Sequence, residues 1–222
     1  GTRPCQGSIA TAKMGCMGLR AMLFARVYDR MMAVAEEALA ARREALLAGA
    51  GGRVLEIGGG TGANLPFYRR SVTGLVIAEP DVSMARRLER KLAGYPVATQ
   101  VIRAPAERLP LEAASFDCAV ATLVLCTVPD PAGALAEIRR LLRPGGRLLF
   151  LEHVRAEDPA LARWQDRLRV PWSWLGCGCQ CNRRTVESVE AAGFSISDLR
   201  RERFPKAAAL VRPLVIGTAA PR

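Results

Sequence analysis

The sequence predicts an α/β fold: a doubly wound, mostly parallel seven-stranded sheet with an antiparallel C-terminal strand. Three observations carry this expectation. Between residues 53 and 153, short apolar, β-branched runs alternate with amphipathic stretches of about a dozen residues, the pattern of crossover units with helices on both faces of a parallel sheet. A glycine cluster, Gly58-Gly59-Gly60-Thr61-Gly62, follows the first of these runs. Finally, 222 residues of which 50% are apolar and 24% charged have the composition of one globular domain with a sizeable core.

Residues 19–48 read as one or two helices, because Leu23, Val27, Val34 and Ala38 recur at helical spacing in an Ala-, Leu-, Glu- and Arg-rich segment that ends at Gly49, Gly51 and Gly52. Residues 53–57 form a strand that opens into the glycine loop, and a helix with Pro66 in its first turn follows. Next come strand 72–79, helix 81–93, strand 97–103, loop 104–115, strand 116–123, helix 130–142, a turn at Pro144-Gly145-Gly146 and strand 147–153. Beyond His153 the rhythm changes to a helix over 158–169, an irregular Trp- and Cys-rich insert over 170–182, a helix over 183–192 stopped by Gly193, and strands at 195–201 and 209–218.

Thirty-two basic against 21 acidic residues leave a net charge of +11, and all but three of the bases are Arg. The excess is spread along the chain, and aromatics make up only 5%. A nucleic-acid surface concentrates basic charge among aromatics, so none is expected here; the surface instead suits peripheral contact with an anionic membrane. No run of about 18 uncharged apolar residues occurs, because Arg20, Arg26, Arg30 and Arg212 interrupt the candidates. Seven Cys, an odd number in a chain too long to need staples, point to a reducing, cytoplasmic compartment. Nothing in the sequence bears on the oligomeric state.

Glycines 58, 60 and 62 let main-chain N–H groups and a helix N-terminus approach a ligand closely. The stretch also satisfies a dinucleotide pattern ending at Ala63, so the glycines alone do not choose the ligand. Glu79 closes the second strand, where a carboxylate accepts both hydroxyls of an adenosine ribose. Glu56, inside the first strand, would repel a diphosphate and suits a cationic ligand such as S-adenosylmethionine; its other reading is a support for the loop backbone.

Val54–Gly62, Glu79, Ala106-Glu107-Arg108-Leu109-Pro110, Ser115-Phe116-Asp117 and Leu142-Arg143-Pro144-Gly145-Gly146 resemble, in order, the motifs of class I S-adenosylmethionine-dependent methyltransferases of the type 11 and UbiE-like kind. The likeness covers about residues 50–155 and implies a Rossmann-like fold. It further implies a cofactor site of Glu56, Gly58, Gly59, Gly60, Gly62, Asn64, Glu79, Pro80, Met84, Ala106, Glu107, Thr122 and Leu123. Residues Thr122–Val128, Leu151–Val154, Cys181–Thr185 and Leu210–Pro213 resemble more narrowly the methyltransferase-like seven group, membrane-associated enzymes that methylate alkyl thiols. This chain departs from that group in having Gly59 where the group usually has Cys, and in lacking its long hydrophobic anchor. The resemblance implies methyl transfer to a small hydrophobic acceptor, a thiol first, with a phospholipid amine or quinone ring as alternatives. Residues 1–48 would form a helical lid, or else a surface helix packing Leu23, Val27 and Val34 on the core, and 49–222 the catalytic domain, with a substrate roof, or else ordinary core packing, over about 158–182.

In-line displacement at a sulfonium needs mainly alignment, plus removal of a proton from a thiol acceptor. His153, the only histidine, ends the strand after the Pro-Gly-Gly turn and is the best base available; its other reading is a hydrogen-bonded structural group. Asp29, beside Tyr28 on the N-terminal helix, is the rival. Cys177, Cys179 and Cys181 lack the second pair that a zinc site normally shows, so they read as loop or pocket-lining thiols and no metal is assigned; a metal role, with His153 or Cys126 as a further ligand, and a redox role are the alternatives. An Asn/Asp-Pro-Pro-aromatic motif, typical of amino-methylating nucleic-acid enzymes, is replaced by Ala121-Thr122-Leu123-Val124-Leu125. A binding module without turnover and a nicotinamide oxidoreductase are the remaining alternatives.

Overall fold

The computed structural model describes residue 37 and residues 39–175, 178–204 and 207–222. Most of the expected N-terminal helix, with Tyr28 and Asp29, and Cys5, Cys16 and Cys177 lie outside the described residues. Seven strands form one sheet: β1 (Gly52–Ile57), β2 (Val72–Ala78), β3 (Thr99–Ile102), β4 (Phe116–Thr122), β5 (Leu142–His153), β6 (Phe194–Arg203) and β7 (Pro213–Pro221). Their order is β3-β2-β1-β4-β5-β7-β6; β1 to β5 pair in parallel, and β7 runs antiparallel to both β5 and β6. The direction of winding reverses between β1 and β4, which makes the rim above their C-terminal ends the natural ligand crevice.

The central strands are buried on both faces, so their apolar residues run continuously rather than alternating with polar ones. One face packs Leu55, Ala119 and Phe150 beneath helices α3 (Pro131–Leu141) and α5 (Thr185–Ala191). The other packs Val54, Ile77, Val120 and Leu149 beneath α1 (39–47) and α2 (Val82–Lys91). Asp81 caps α2 by accepting the Ser83 and Met84 amides, and Asp130 caps α3 with Pro131 in its first turn. A third, smaller cluster of Cys126, Cys179, Cys181 and Val211 lies by Trp172, on α4 (Pro159–Leu175).

Several boundaries differ from the sequence reading. The helix expected after the glycine loop is a single 3-10 turn, Leu65–Phe67; Asn64 before it makes no side-chain cap and donates to Glu56 on β1. The Pro-Gly-Gly turn is absorbed into the start of β5, where the pairing with β4 shifts register between Phe116 and Cys118. The irregular insert begins later than expected, because α4 continues through Pro171 to Leu175 and puts Trp172 against the cysteine cluster. The strand expected over 209–218 is a 3-10 turn, Ala209–Val211, followed by β7. Among the described residues, no helix is long and apolar enough to cross a membrane.

Candidate active site

The glycine loop begins where β1 ends. Gly58 has φ +66°, and a Cβ there would stand 2.2 Å from Val124 Cγ2, so the loop is pressed against the segment that follows β4. Gly60 has φ +55° and faces open space, with nothing within 4 Å of its missing Cβ. Its amide donates to Glu79 Oε2 at 2.8 Å, while Glu79 Oε1 accepts the Asp81 amide at 2.9 Å. Burial raises the Glu79 carboxyl above its ordinary range against these two donors. Pro80 follows on the surface, and Met84 lies half-buried in the first turn of α2.

A second, largely buried network joins Glu56, Asn64, Thr122 and Arg43 with the half-buried Tyr68. Glu56 accepts from Asn64 Nδ2 at 2.9 Å and from the Tyr68 hydroxyl at 2.7 Å. Asn64 Nδ2 also donates to Thr122 Oγ1, and the buried Arg43 donates Nη1 to Asn64 Oδ1 at 2.6 Å and to Thr122 Oγ1 at 3.0 Å. Burial pushes the Glu56 carboxyl up to about 7, opposed by the Tyr68 and Asn64 bonds and by the Arg43 charge. Three expected site residues, Glu56, Asn64 and Thr122, are thereby joined. Because protein donors meet both Glu56 oxygens, its charge acts on a ligand at the rim through space.

Sequence reading missed Arg43 and Tyr68. A signal for Arg43 existed: on α1 it shares the inward face with Leu39, Leu46 and Leu47, and a buried arginine on an apolar face needs polar partners. Leu123, just past β4, has φ +55°, a conformation costly for a leucine, and its amide donates to Leu151 O at 2.8 Å. Ala106 is buried, whereas Glu107 turns its carboxylate to the Asp130 amide at the start of α3.

The residues that follow β4 are held by β5 and by the segment after α4. Glu152, wholly buried, accepts the amides of Val124 at 2.9 Å, Leu125 at 2.8 Å and Cys126 at 3.3 Å. Burial lifts its carboxyl to about 8 against those three donors. Arg183 donates to the carbonyls of Leu125 and Val128, and the Gln180 amide donates to Cys126 O at 2.7 Å. Gln165, also wholly buried, accepts the Ala156 amide and donates to the carbonyls of Val154, Cys181 and Leu210.

These bonds bring the Cys126 and Cys179 sulfurs to 3.8 Å. The Cys179 thiol is pulled down by its Cys126 neighbour and then by His153, and the Cys126 thiol is pushed up. His153, 9% exposed, stacks on Phe204, and its two buried ring nitrogens have no hydrogen-bond partner among the described residues. Both sulfurs and an imidazole nitrogen lie within 4.8 Å of one another.

Residues 55–150 match the family model described as a methyltransferase domain. The chain is 36% identical over 179 residues to human thiol S-methyltransferase TMT1B, covering 78% of this chain and 73% of that protein. The chain belongs to the S-adenosylmethionine-dependent methyltransferases. It is also 31% identical to a phosphatidylethanolamine N-methyltransferase of Cereibacter sphaeroides, over 64% of this chain and 74% of that one. A solved Thermotoga maritima methyltransferase matches with a TM-score of 0.68 at 20% identity, over 90% of this chain and 97% of that one. The cofactor of this methyltransferase is S-adenosylmethionine, and the rim suits it: Gly60 opens on free space, and the Glu79 carboxylate stands beside it.

Proposed function

We propose that this methyltransferase acts on a small hydrophobic thiol. The observation that carries the reading is the Cys126–His153–Cys179 cluster, whose imidazole has no hydrogen-bond partner among the described residues. Val124, two residues before Cys126, packs on Gly58, so the cluster and the cofactor rim share one short segment. The likeness to a thiol S-methyltransferase supports the same acceptor.

When bound, S-adenosylmethionine supplies an electrophilic methyl group on a sulfonium. The Gly60 backbone and the Glu79 carboxylate would hold its amino-acid and ribose parts, and the buried Glu56 charge would favour its cationic end. His153 would stand as the polar partner of the acceptor sulfur and favour its thiolate form, the form that attacks. Residues 49–222 would then be the catalytic domain, with α4 and the cysteine segment roofing the acceptor side, while α1, at the end of the expected lid, packs on the sheet. Incubation with labelled S-adenosylmethionine and separate alkyl-thiol, phospholipid-amine, quinol and RNA acceptors tests this. Label is expected in the thioether; label only in another acceptor rejects the reading. Glu79→Ala should weaken cofactor binding by about 1–3 kcal/mol in calorimetry.

A second reading, peripheral membrane contact, rests on α4. There Trp164, Leu168, Val170 and Trp174 are exposed among Arg163, Arg167 and Arg169, with the Arg167 guanidinium 5.8 Å above the Trp164 ring. Co-sedimentation with phosphatidylglycerol vesicles, reduced by Trp164→Ser/Trp174→Ser, is the expected outcome.

A further inference from the structure

We propose that Cys126, His153 and Cys179 form a three-ligand site for a divalent, thiophilic metal ion of the zinc class, whose open fourth position takes the acceptor sulfur. The proposal deepens the thiol reading given above and rests on it for the identity of the fourth ligand.

Two independent observations meet here. Two sulfurs on a tetrahedral ion with bonds of about 2.3 Å stand about 3.8 Å apart, and Cys126 and Cys179 are separated by 3.8 Å with no covalent bond between them. Buried imidazoles ordinarily pair both ring nitrogens with the protein or water, whereas neither nitrogen of His153 has a hydrogen-bond partner among the described residues and one lies within 4.8 Å of both sulfurs. A metal ion gives that nitrogen and the two sulfurs a common partner.

The site is also built rather than accidental. Each ligand comes from a different part of the chain, and each part is fastened: Glu152 holds the Cys126 amide, strand pairing with Leu214 and the Phe204 ring hold His153, and the Gln180 amide ties the Cys179 segment to Cys126 O. Gln165 adds a clamp through Cys181 O. Among the described residues, no fourth ligand joins the three. A closed structural site has four protein ligands; three with an open position is the arrangement of a catalytic one.

With an alkyl thiol as fourth ligand, its proton passes to solvent and its sulfur binds the ion as thiolate. A lone pair of that sulfur then forms the new bond to the methyl carbon as the carbon–sulfonium bond breaks, its electron pair remaining on the departing sulfur. The products are a methyl thioether and S-adenosylhomocysteine, both neutral at sulfur, and the ion keeps its oxidation state. A thioether is a weaker ligand than a thiolate, so the product leaves.

The test uses the full chain purified without chelator and without added thiol. Elemental analysis should find about one zinc per chain. Replacement by Co2+ should give thiolate-to-cobalt charge-transfer and tetrahedral d–d bands that shift when an alkyl thiol is added. Cys126→Ser, Cys179→Ser and His153→Ala should each weaken metal binding by about 100-fold or more. Cys177→Ser should retain the metal and the thiol-dependent shift. Circular dichroism separates loss of ligand from loss of fold. Absence of bound metal and of a cobalt spectrum in folded wild type overturns the site, as does a Cys126–Cys179 disulfide in its place. Loss of the metal in Cys177→Ser overturns the open position. Thiol methylation unchanged in metal-free protein overturns the metal while leaving the proposed function standing; a cobalt spectrum that responds to thiol without any thiol methylation supports the site and removes that function.

Discussion

Glu152 Oε1 accepts the Leu125 amide at 2.8 Å, so an acid on β5 organises the segment that carries Cys126. The same carboxylate also takes the Val124 and Cys126 amides. Truncating it leaves three buried N–H groups without acceptors, and an unmade buried bond costs far more than a made one contributes. Glu152→Ala is expected to lose about 3 kcal/mol or more in urea unfolding. Glu152→Gln, whose remaining oxygen can still serve Val124 and Leu125, should lose less than half as much.

Arg43 and Glu56 form a second coupled pair, through Asn64. Arg43 donates to Asn64 Oδ1, Asn64 donates to Glu56, and the Arg43 charge partly offsets the burial of the carboxylate. Arg43→Met removes the charge that, among the described residues, opposes Glu56 desolvation, and should cost about 3–5 kcal/mol. Adding Glu56→Gln removes the stranded acid, so the double variant should recover about 1–2 kcal/mol of that loss. Strict additivity in the double-mutant cycle would contradict the coupling.

The groups facing Glu56 also set its pH dependence. Asn64 and Tyr68 donate to it, Arg43 opposes its burial, and Glu79 adds repulsion; Tyr68 itself is pushed well up, so it stays a phenol. The folded carboxyl sits at about 7 against an ordinary 4.5. Between those values the folded chain holds more protons than the unfolded one, so stability falls as pH rises through this window and levels off above about 7. Relative to Glu56→Gln, wild type should lose roughly 3 kcal/mol across that range, read from unfolding curves at fixed temperature. A cationic cofactor favours the ionised form, so S-adenosylmethionine affinity should rise with pH through 7, with proton release in calorimetry. A Glu56→Gln variant showing the same rise would contradict this assignment.

The legible parts of the sequence were those written in local pattern. Apolar β-branched runs such as Val54–Ile57 declared the strands, and the Gly58–Gly62 cluster declared the cofactor rim, because each signal occupies a few consecutive residues. Pro66 accompanied an expected helix that is one 3-10 turn, and the helix expected to end at residue 169 runs on through Pro171 to Leu175. Tertiary packing decides both cases, since Asn64 turns to Glu56 and Trp172 packs on the cysteine cluster. Arg43, Glu152 and Gln165 have meaning only through partners brought by the fold, and Cys179 meets Cys126 across 53 residues of chain. Spacing along the sequence contains no trace of such a meeting.

Gly59 marks a point where local packing and family pattern diverge, because the resembling thiol group usually carries Cys there. A Cβ at Gly59 would stand 2.1 Å from Ile77 Cγ2 and 3.4 Å from Leu88 Cδ2. The obstacle is the side chain of a wholly buried β2 residue, so a larger group at 59 requires a smaller one at 77. Gly59→Cys alone is expected to lose about 1–3 kcal/mol by overpacking, and Ile77→Ala alone about 2–5 kcal/mol through the cavity it leaves. Combined, the new thiol occupies part of that cavity, so the double variant should be more stable than the sum of the two losses implies. Melting curves of the four proteins, with and without S-adenosylmethionine, measure the coupling. Gly59→Cys as stable as wild type would show that Ile77 yields without cost and that the glycine answers to something other than this contact.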